Sequence, residues 1–286
     1  MRITTTNSLR KEFSSNLSPI YELREADQIA SMLIGHLFGI QGTSQFLHQE
    51  MTISTVQELT VDNIFDRLLK HEPIQYVLGY TEFYGRQFKT DARALIPRSE
   101  TEELVDFILN EAVSDASSIM DIGTGSGCIA ITLALESGCK VFALDIDIYA
   151  LALARENALS LGAEINFIQA DILTIKQGIR NFDIIVSNPP YVPQSGQASM
   201  DRRVIDFEPS QALFVPKQNP LIFYQRIANL APDYLVPGGQ VFLEIYHLAG
   251  PAVKSLFQGP QWSQALIKKD LQGKDRMLKA ILKSNN

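Results

Sequence analysis

The residues Asn188-Pro189-Pro190-Tyr191 suggest a reaction more directly than any other stretch of this chain. They follow the apolar, β-rich run Phe182 to Val186, which reads as a buried strand. The two prolines remove backbone donors and end that strand. The turn then offers two acceptors, the Asn188 side-chain oxygen and the Pro189 carbonyl, beside the flat face of Tyr191. Such a site suits a planar group bearing NH2, with one acceptor for each N–H and a ring to stack on. Taken alone, the tetrapeptide is equally a proline-rich turn after a strand, so the neighbouring motifs must decide.

The second motif is Asp121-Ile122-Gly123-Thr124-Gly125-Ser126-Gly127, a strand running through a turn into a helix. Glycines let the backbone turn tightly and approach a ligand, which meets exposed N–H groups at the helix start. In the dinucleotide fingerprint G-x-G-x-x-G the third glycine comes one residue later than here. No phosphate-binding lysine follows, which excludes a nucleoside triphosphate loop. A compact G-x-G-x-G preceded by an acid is the pattern of enzymes that hold S-adenosylmethionine, so Gly123, Thr124, Gly125, Ser126 and Gly127 are expected to contact that cofactor. Asp145, eighteen residues after Gly127, ends the second apolar run and is expected to accept from the ribose hydroxyls. Asp147 competes for that role but is better placed to start the next helix. Asp171 is expected to accept from the adenine amino group with Ile172 packed on the ring, or else to cap a loop. Placed together, these motifs predict methyl transfer to an NH2 group. Asn188 and Pro189 would hold its two N–H bonds, and Tyr191 would fix its plane. An amide nitrogen is a poor nucleophile because its lone pair is delocalised, so alignment is the main expected contribution and no general base is called for.

The elements that must position these residues come from periodicity. The first 21 residues are polar and rich in Ser and Thr, and they predict no ordered element. Helices are expected over 22–38 and 55–70, the second burying Leu59, Ile64, Leu68 and Leu69. Tyr80, Phe83, Tyr84 and Phe88 around Gly79 and Gly85 suggest a β-hairpin. Ser99 and Glu102 have capping-box spacing before a helix that turns Leu104, Phe107 and Ile108 inward. Arg98 and Glu102 either line the site or form a surface ion pair at the helix entry. From Ser117 onward strand and helix alternate, with strands at Ile119–Ile122, Val141–Leu144, Ile165–Ile168, Phe182–Val186 and Val241–Ile245 and a closing pair within 265–282. That is the pattern of a doubly wound, mostly parallel α/β sheet, whose ligands sit at the carboxyl ends of the strands. The expected organisation is a helical domain over 1–73, a hairpin linker over 74–97, and the α/β domain over 98–286.

Composition bounds the function. The 286 residues carry a net charge of -7 with 45% hydrophobic and 20% charged content, ordinary for a soluble globular protein. Without a basic face, nucleic acid is a poor default partner. Cys128 and Cys139 lack CxxC spacing and read as reduced cytoplasmic thiols. His36, His48, His71 and His247 form no ligand spacing, so no metal is expected. No apolar run reaches membrane-spanning length and the amino terminus is polar, so a cytoplasmic monomer away from the membrane is expected.

Further stretches carry a family resemblance: Pro73-Ile74-Gln75-Tyr76-Val77-Leu78-Gly79, Phe83-Tyr84-Gly85-Arg86 with Phe88, and Leu95-Ile96-Pro97-Arg98 with Glu100-Thr101-Glu102. Ser187 through Tyr191 and Phe207-Glu208-Pro209 with Ala212-Leu213 continue it. With the glycine loop, they make the chain similar to the bacterial peptide chain release factor glutamine methyltransferases, the PrmC/HemK family. The resemblance implies a seven-stranded Rossmann-like methyltransferase sheet and methylation of the glutamine amide in the Gly-Gly-Gln motif of release factors, with the helical domain helping to hold the factor. It implies cofactor contacts at Gly123 to Gly127, Asp145 and Asn188, and substrate contacts at Asn188, Pro189, Pro190 and Tyr191. The chain departs from the family at Ser99, where proline is common, and at Tyr246-His247, where a glycine is usual.

An amino methyltransferase of adenine or guanine uses the same tetrapeptide, but usually with a basic face or a separate domain that extrudes the base. A non-catalytic cofactor-binding protein is the more distant alternative. The chain also contains its own Gly238-Gly239-Gln240, which follows Pro237 and reads as a turn into a strand.

Overall fold

A computed structural model describes residues 1–284 apart from 41, 48–49, 114–117 and 177–180, and the backbone alone at 198–199. His48 and Ser117, both named above, lie outside the described residues. The chain divides into two compact units, Met1–Gly79 with Arg202–Phe207, and Tyr80–Asp201 with Glu208–Asn286.

In the first unit β1 (Arg2–Thr5) leads into α1 (Thr6–Leu17), α2 (Leu23–Phe38), β2 (Glu50–Ile53), α3 (Thr55–Leu68) and α4 (Ile74–Leu78). The polar start is therefore ordered, contrary to expectation. Leu9, Phe13 and Leu17 recur every fourth residue and are buried, and Thr5 caps α1 by accepting from the Ser8 N–H. Their Ser/Thr neighbours dilute the hydrophobicity without disturbing that stripe. In α3 only Ile64 and Leu68 are buried, whereas Leu59 and Leu69 are 65% and 45% exposed. Positions five and one residues away from that pair fall off its face of the helix. Arg67 closes the α3–α4 corner, pairing with Glu72 and donating to the carbonyls of Tyr76 (3.0 Å) and Val77 (3.2 Å). Within the same unit Arg203 pairs with Glu25 and lies 5.1 Å from the centre of the Tyr21 ring.

The second unit begins with the antiparallel hairpin of β3 (Tyr80–Phe83) and β4 (Arg86–Lys89), so the residues before Gly79 are helical, not part of the hairpin. The helix α5 (Ser99–Glu111) follows, but without the expected capping box. Ser99 is already helical and donates to Glu100, while Arg98 occupies the cap position without a side-chain bond to the helix's free N–H groups. The reciprocal box forms instead at Ser54 and Gln57, ahead of α3.

Strand and helix then alternate through β5 (Ser118–Ile122), α6 (Cys128–Ser137), β6 (Lys140–Asp145), α7 (Ile148–Leu161), β7 (Ile165–Gln169) and β8 (Phe182–Ser187). Short elements follow: β9 (Val192–Pro193), α8 (Arg202–Phe207, in the first unit), α9 (Ser210–Leu213) and β10 (Phe214–Val215). The unit closes with α10 (Ile222–Tyr234), β11 (Leu235–Glu244), α11 (Gly250–Ser255), β12 (Trp262–Lys269) and β13 (Asp275–Leu282). Among the described residues the main sheet has seven strands in the order β12-β13-β11-β8-β5-β6-β7, with β13 running opposite to the others.

Buried parallel strands must be apolar on both faces, and these are. Met120, Ile122, Leu144, Ile185 and Leu243 pack against Ile227 and Ala231 of α10. Their neighbours Ile119, Ala143, Ile184, Val186 and Phe242 face Leu104, Ile129 and Leu133 of α5 and α6. Gly238-Gly239-Gln240 forms the irregular start of β11, where the register slips before Gln240 joins the ladder beside Ile184 and Ile281. No helix among the described residues is long and apolar enough to cross a membrane.

A candidate active site at the strand ends

Because β8 pairs with β5, and β5 with β6, the turns that follow these three strands emerge side by side. A cavity of about 280 Å³ opens there, lined by Gly123, Thr124, Gly125, Ser126, Asp145, Asp171, Ile172, Asn188, Pro189 and Pro190 among others. Gly127 and Tyr191 are not part of its wall.

The glycine loop is held from beneath. The N–H groups of Gly123 and Thr124 donate to the Leu144 carbonyl at 2.8 and 3.0 Å, and the Gly125 N–H donates to Asp145 Oδ2 at 2.9 Å. Gly123 and Gly125 have φ of +75° and +55°, a left-handed backbone that other residues rarely adopt. Gly127 serves packing instead. It caps α6 at φ +82°, where a Cβ would lie 2.9 Å from Ile131 Cδ1 and 3.1 Å from Ala154 Cβ. It brings α6 and α7 together.

Both candidate ribose acids line the cavity. Asp147 accepts from the Tyr149 N–H (2.8 Å), capping α7 as expected, and from Gln211 Nε2 (2.6 Å). Asp145 accepts from Gly125 and from the Asp147 N–H (2.9 Å), two backbone donors that pin its carboxylate, and burial raises its pKa. Asp171 accepts from the Leu173 N–H (2.8 Å) as a loop cap while lining the cavity, and Ile172 is buried beside it. Arg98 reaches the cavity wall, whereas Glu102 does not. The partner of Arg98 is Glu208, only 5% exposed, which also accepts from the Ile96 N–H at 3.0 Å.

At the tetrapeptide, Asn188 Nδ2 donates to Thr101 Oγ1 (3.1 Å), and Thr101 donates to Glu244 Oε2 (2.7 Å). The Tyr191 hydroxyl donates to the other carboxylate oxygen, Glu244 Oε1, at 3.1 Å. Tyr191 is thus anchored to β11, and its ring stacks on Tyr246 with centroids 6.1 Å apart. Burial raises the pKa of both Tyr191 and Glu244. Sequence reasoning passed over Thr101 as an active-site residue and gave Glu244 no part. The available signal was a lone acid ending the apolar run Val241-Phe242-Leu243, a costly residue to bury without a partner. Also missed was Asn157, 1% exposed, which accepts from the Lys89 N–H and donates to the carbonyls of Lys89 and Ser126, tying the hairpin to the glycine loop.

Asp121, fully buried, accepts from Thr124 Oγ1 at 2.7 Å. Burial pushes its carboxyl up to about 7, helped by the charge of Asp145 and opposed by the Thr124 bond. Its folded pKa lies above the unfolded value, so its contribution to stability is complete below about pH 4 and lost as pH rises through about 7. Between about pH 5.5 and pH 8 that loss amounts to about 2 kcal/mol, or roughly 4–8 °C in melting temperature. Thermal melts across that range are expected to show it, and Asp121→Asn, a neutral isostere, to flatten the profile by that amount.

The chain is similar to known proteins over most of its length. A family profile described as the methyltransferase small domain matches residues 101–207, and one described as the PrmC N-terminal domain matches residues 8–79. The chain is 40% identical to the release factor glutamine methyltransferase of Bacteroides thetaiotaomicron, over 96% of this chain and 99% of the relative. It is 36% identical to that of Flavobacterium psychrophilum, over 94% and 96%, and 45% identical to that of Lactococcus lactis, over 78% and 83%. In fold it is similar to a methyltransferase from Pyrococcus furiosus, with a TM-score of 0.51 at 18% identity, covering 77% of this chain and 98% of that one. With its relatives matched along almost their whole length, the chain belongs to the release factor glutamine methyltransferase family.

Proposed function

We propose that this protein transfers a methyl group from S-adenosylmethionine to the side-chain amide nitrogen of the glutamine in the Gly-Gly-Gln motif of peptide chain release factors. One observation carries the reading: Asn188 and Pro189 share a cavity with the glycine loop and Asp145. The donor set fits the cofactor. Asp145 offers pinned carboxylate oxygens to ribose hydroxyls, Asp171 an acceptor to an amino group, and Ile172 an apolar surface to a ring. Asp121 and Asp145, whose pKa values burial raises, favour a cation nearby. When bound, S-adenosylmethionine supplies an electrophilic methyl group on a sulfonium.

The chain's own residues supply alignment. Asn188 Oδ1 and the Pro189 carbonyl each accept one N–H of the substrate amide, which turns the nitrogen lone pair toward the methyl donor. Holding reactants in this way contributes up to about 7–11 kcal/mol in well-oriented systems. No side chain need act as base, because the methylated nitrogen is acidic enough to release its proton to water. The first unit holds the release factor, and no nucleic acid takes part.

Tritiated S-adenosylmethionine tests the proposal when offered with a purified release factor, with a Gln→Ala variant of its Gly-Gly-Gln motif, and with nucleic acid. Label on the wild-type factor alone is expected. Label on the variant factor, on nucleic acid, or on nothing would overturn the proposal.

A further inference from the structure

The turn around Asn188 does not itself decide which way the side-chain amide faces. The two orientations of a primary amide have nearly the same shape and differ only in which end donates and which accepts. The glutamine reading above, on which this inference rests, needs the oxygen on the substrate side. With the nitrogen there, a donor would meet the substrate's own N–H.

The bias comes from two residues outside the tetrapeptide. Thr101 Oγ1 lies 3.1 Å from Asn188 Nδ2 and 2.7 Å from Glu244 Oε2. A hydroxyl has one proton, and a carboxylate only accepts. The Thr101 proton is therefore committed to Glu244, and Thr101 meets Asn188 with a lone pair that only Nδ2 can satisfy. Thr101 is 2% exposed and Glu244 1%, so solvent is kept from substituting for either bond. Arg276 adds an opposite charge near Glu244, Glu100 a like one, and the Tyr224 hydroxyl donates to the Glu244 backbone carbonyl at 3.2 Å. The second oxygen of Glu244 takes the Tyr191 hydroxyl, so one carboxylate on β11 holds both ends of the tetrapeptide.

We propose that Thr101 and Glu244 are positioning residues that lock the Asn188 amide with its oxygen toward the substrate. The lock runs in one direction, from acceptor-only carboxylate through hydroxyl to amide nitrogen. Each link is fixed by the one before it.

The test is a set of variants assayed with tritiated S-adenosylmethionine and purified release factor. Thr101→Val keeps the branched shape and removes the hydroxyl. It is expected to lower kcat about tenfold, the size of one lost hydrogen bond, with KM for the factor and for S-adenosylmethionine within about twofold. Thr101→Ser is expected to recover most of that loss. In an Asn188→Ala background, Thr101→Val is expected to cost less than about twofold further, because the residue it positions is gone. Wild-type kcat in Thr101→Val, or a full tenfold loss retained in the double variant, would overturn the proposal. A second measurement needs no substrate: hydrogen exchange of the Asn188 side-chain NH2 in 15N-labelled protein. Protection in the wild type that disappears in Thr101→Val supports the lock, and equal exchange in both overturns it. An unlabelled release factor with wild-type enzyme would instead overturn the functional reading, and the exchange measurement would still decide the lock.

Discussion

Asn188→Ala is expected to lower kcat for release-factor methylation by about two to three orders of magnitude, while S-adenosylmethionine binding changes little. The size follows from what is removed. Losing one positioned polar group that meets the reacting atoms costs about 2.7–4 kcal/mol of barrier in acyl-transfer sites, and Asn188 is such a group here. Alanine leaves the turn intact, since Pro189 and Pro190 hold its backbone, and it takes away only an acceptor for one substrate N–H. Thr101 then loses its donor from Nδ2 but keeps its bond to Glu244, so the neighbouring network stays standing. Single-turnover rates with equilibrium dialysis of the cofactor check both halves. A variant that methylates within about threefold of wild type would remove Asn188 from the mechanism.

Gly127→Ala is expected to destabilise the second unit by about 3 kcal/mol, or roughly 6–12 °C in melting temperature, and to weaken cofactor binding. Two costs add. At φ +82° an alanine is strained by about 1 kcal/mol, and its Cβ would lie 3.1 Å from Ala154 Cβ and 3.4 Å from Ala154 Cα. Ile131 Cδ1, at 2.9 Å, can rotate aside, but Ala154 has no rotamer to change and is fully buried in α7. Relief therefore requires α6 and α7 to separate, and α6 carries the end of the glycine loop. Gly138→Ala is the control. That residue has φ +72° with nothing within 4 Å, so only the strain of about 1 kcal/mol is expected. Equal melting temperatures for the two variants would show that close helix packing is not what Gly127 provides.

The parts of the site that were readable in advance are local. A strand that stops at prolines, a glycine-rich turn between strand and helix, and an acid ending an apolar run each occupy a few consecutive residues. Their geometry follows from backbone rules that hold in any context. The alternation of strands and helices then placed them at one edge, because the strands of a parallel sheet all point their carboxyl ends to the same side. Gly127 shows where such reading stops. Its position in the motif suggested a ligand contact, whereas its neighbours in space are Ile131 and Ala154.

Errors elsewhere have the same character. The stripe of Leu9, Phe13 and Leu17 was hidden by serine and threonine, which lower average hydrophobicity without breaking helical spacing. Ser99 and Glu102 had the spacing of a capping box, but the helix began one residue earlier than that box requires. Helix ends are set by what the preceding chain must do, and here Arg98 is held by Glu208, 110 residues away in sequence.

By itself the sequence determined the chemistry offered at each strand end: acceptors at Asn188 and Pro189, a glycine cradle at Gly123 to Gly125, a carboxylate at Asp145. Such properties belong to residue types and to short stretches of backbone, so they survive without knowledge of the fold. Only the tertiary structure decided how those groups are aimed. The Tyr191 hydroxyl is held by Glu244, and the Asn188 amide takes its direction from Thr101. Thr101 and Glu244 stand 143 residues apart and meet only because α5 packs on β11. A hydrogen bond depends on distances of a few tenths of an ångström between such partners, and no spacing along the chain encodes that.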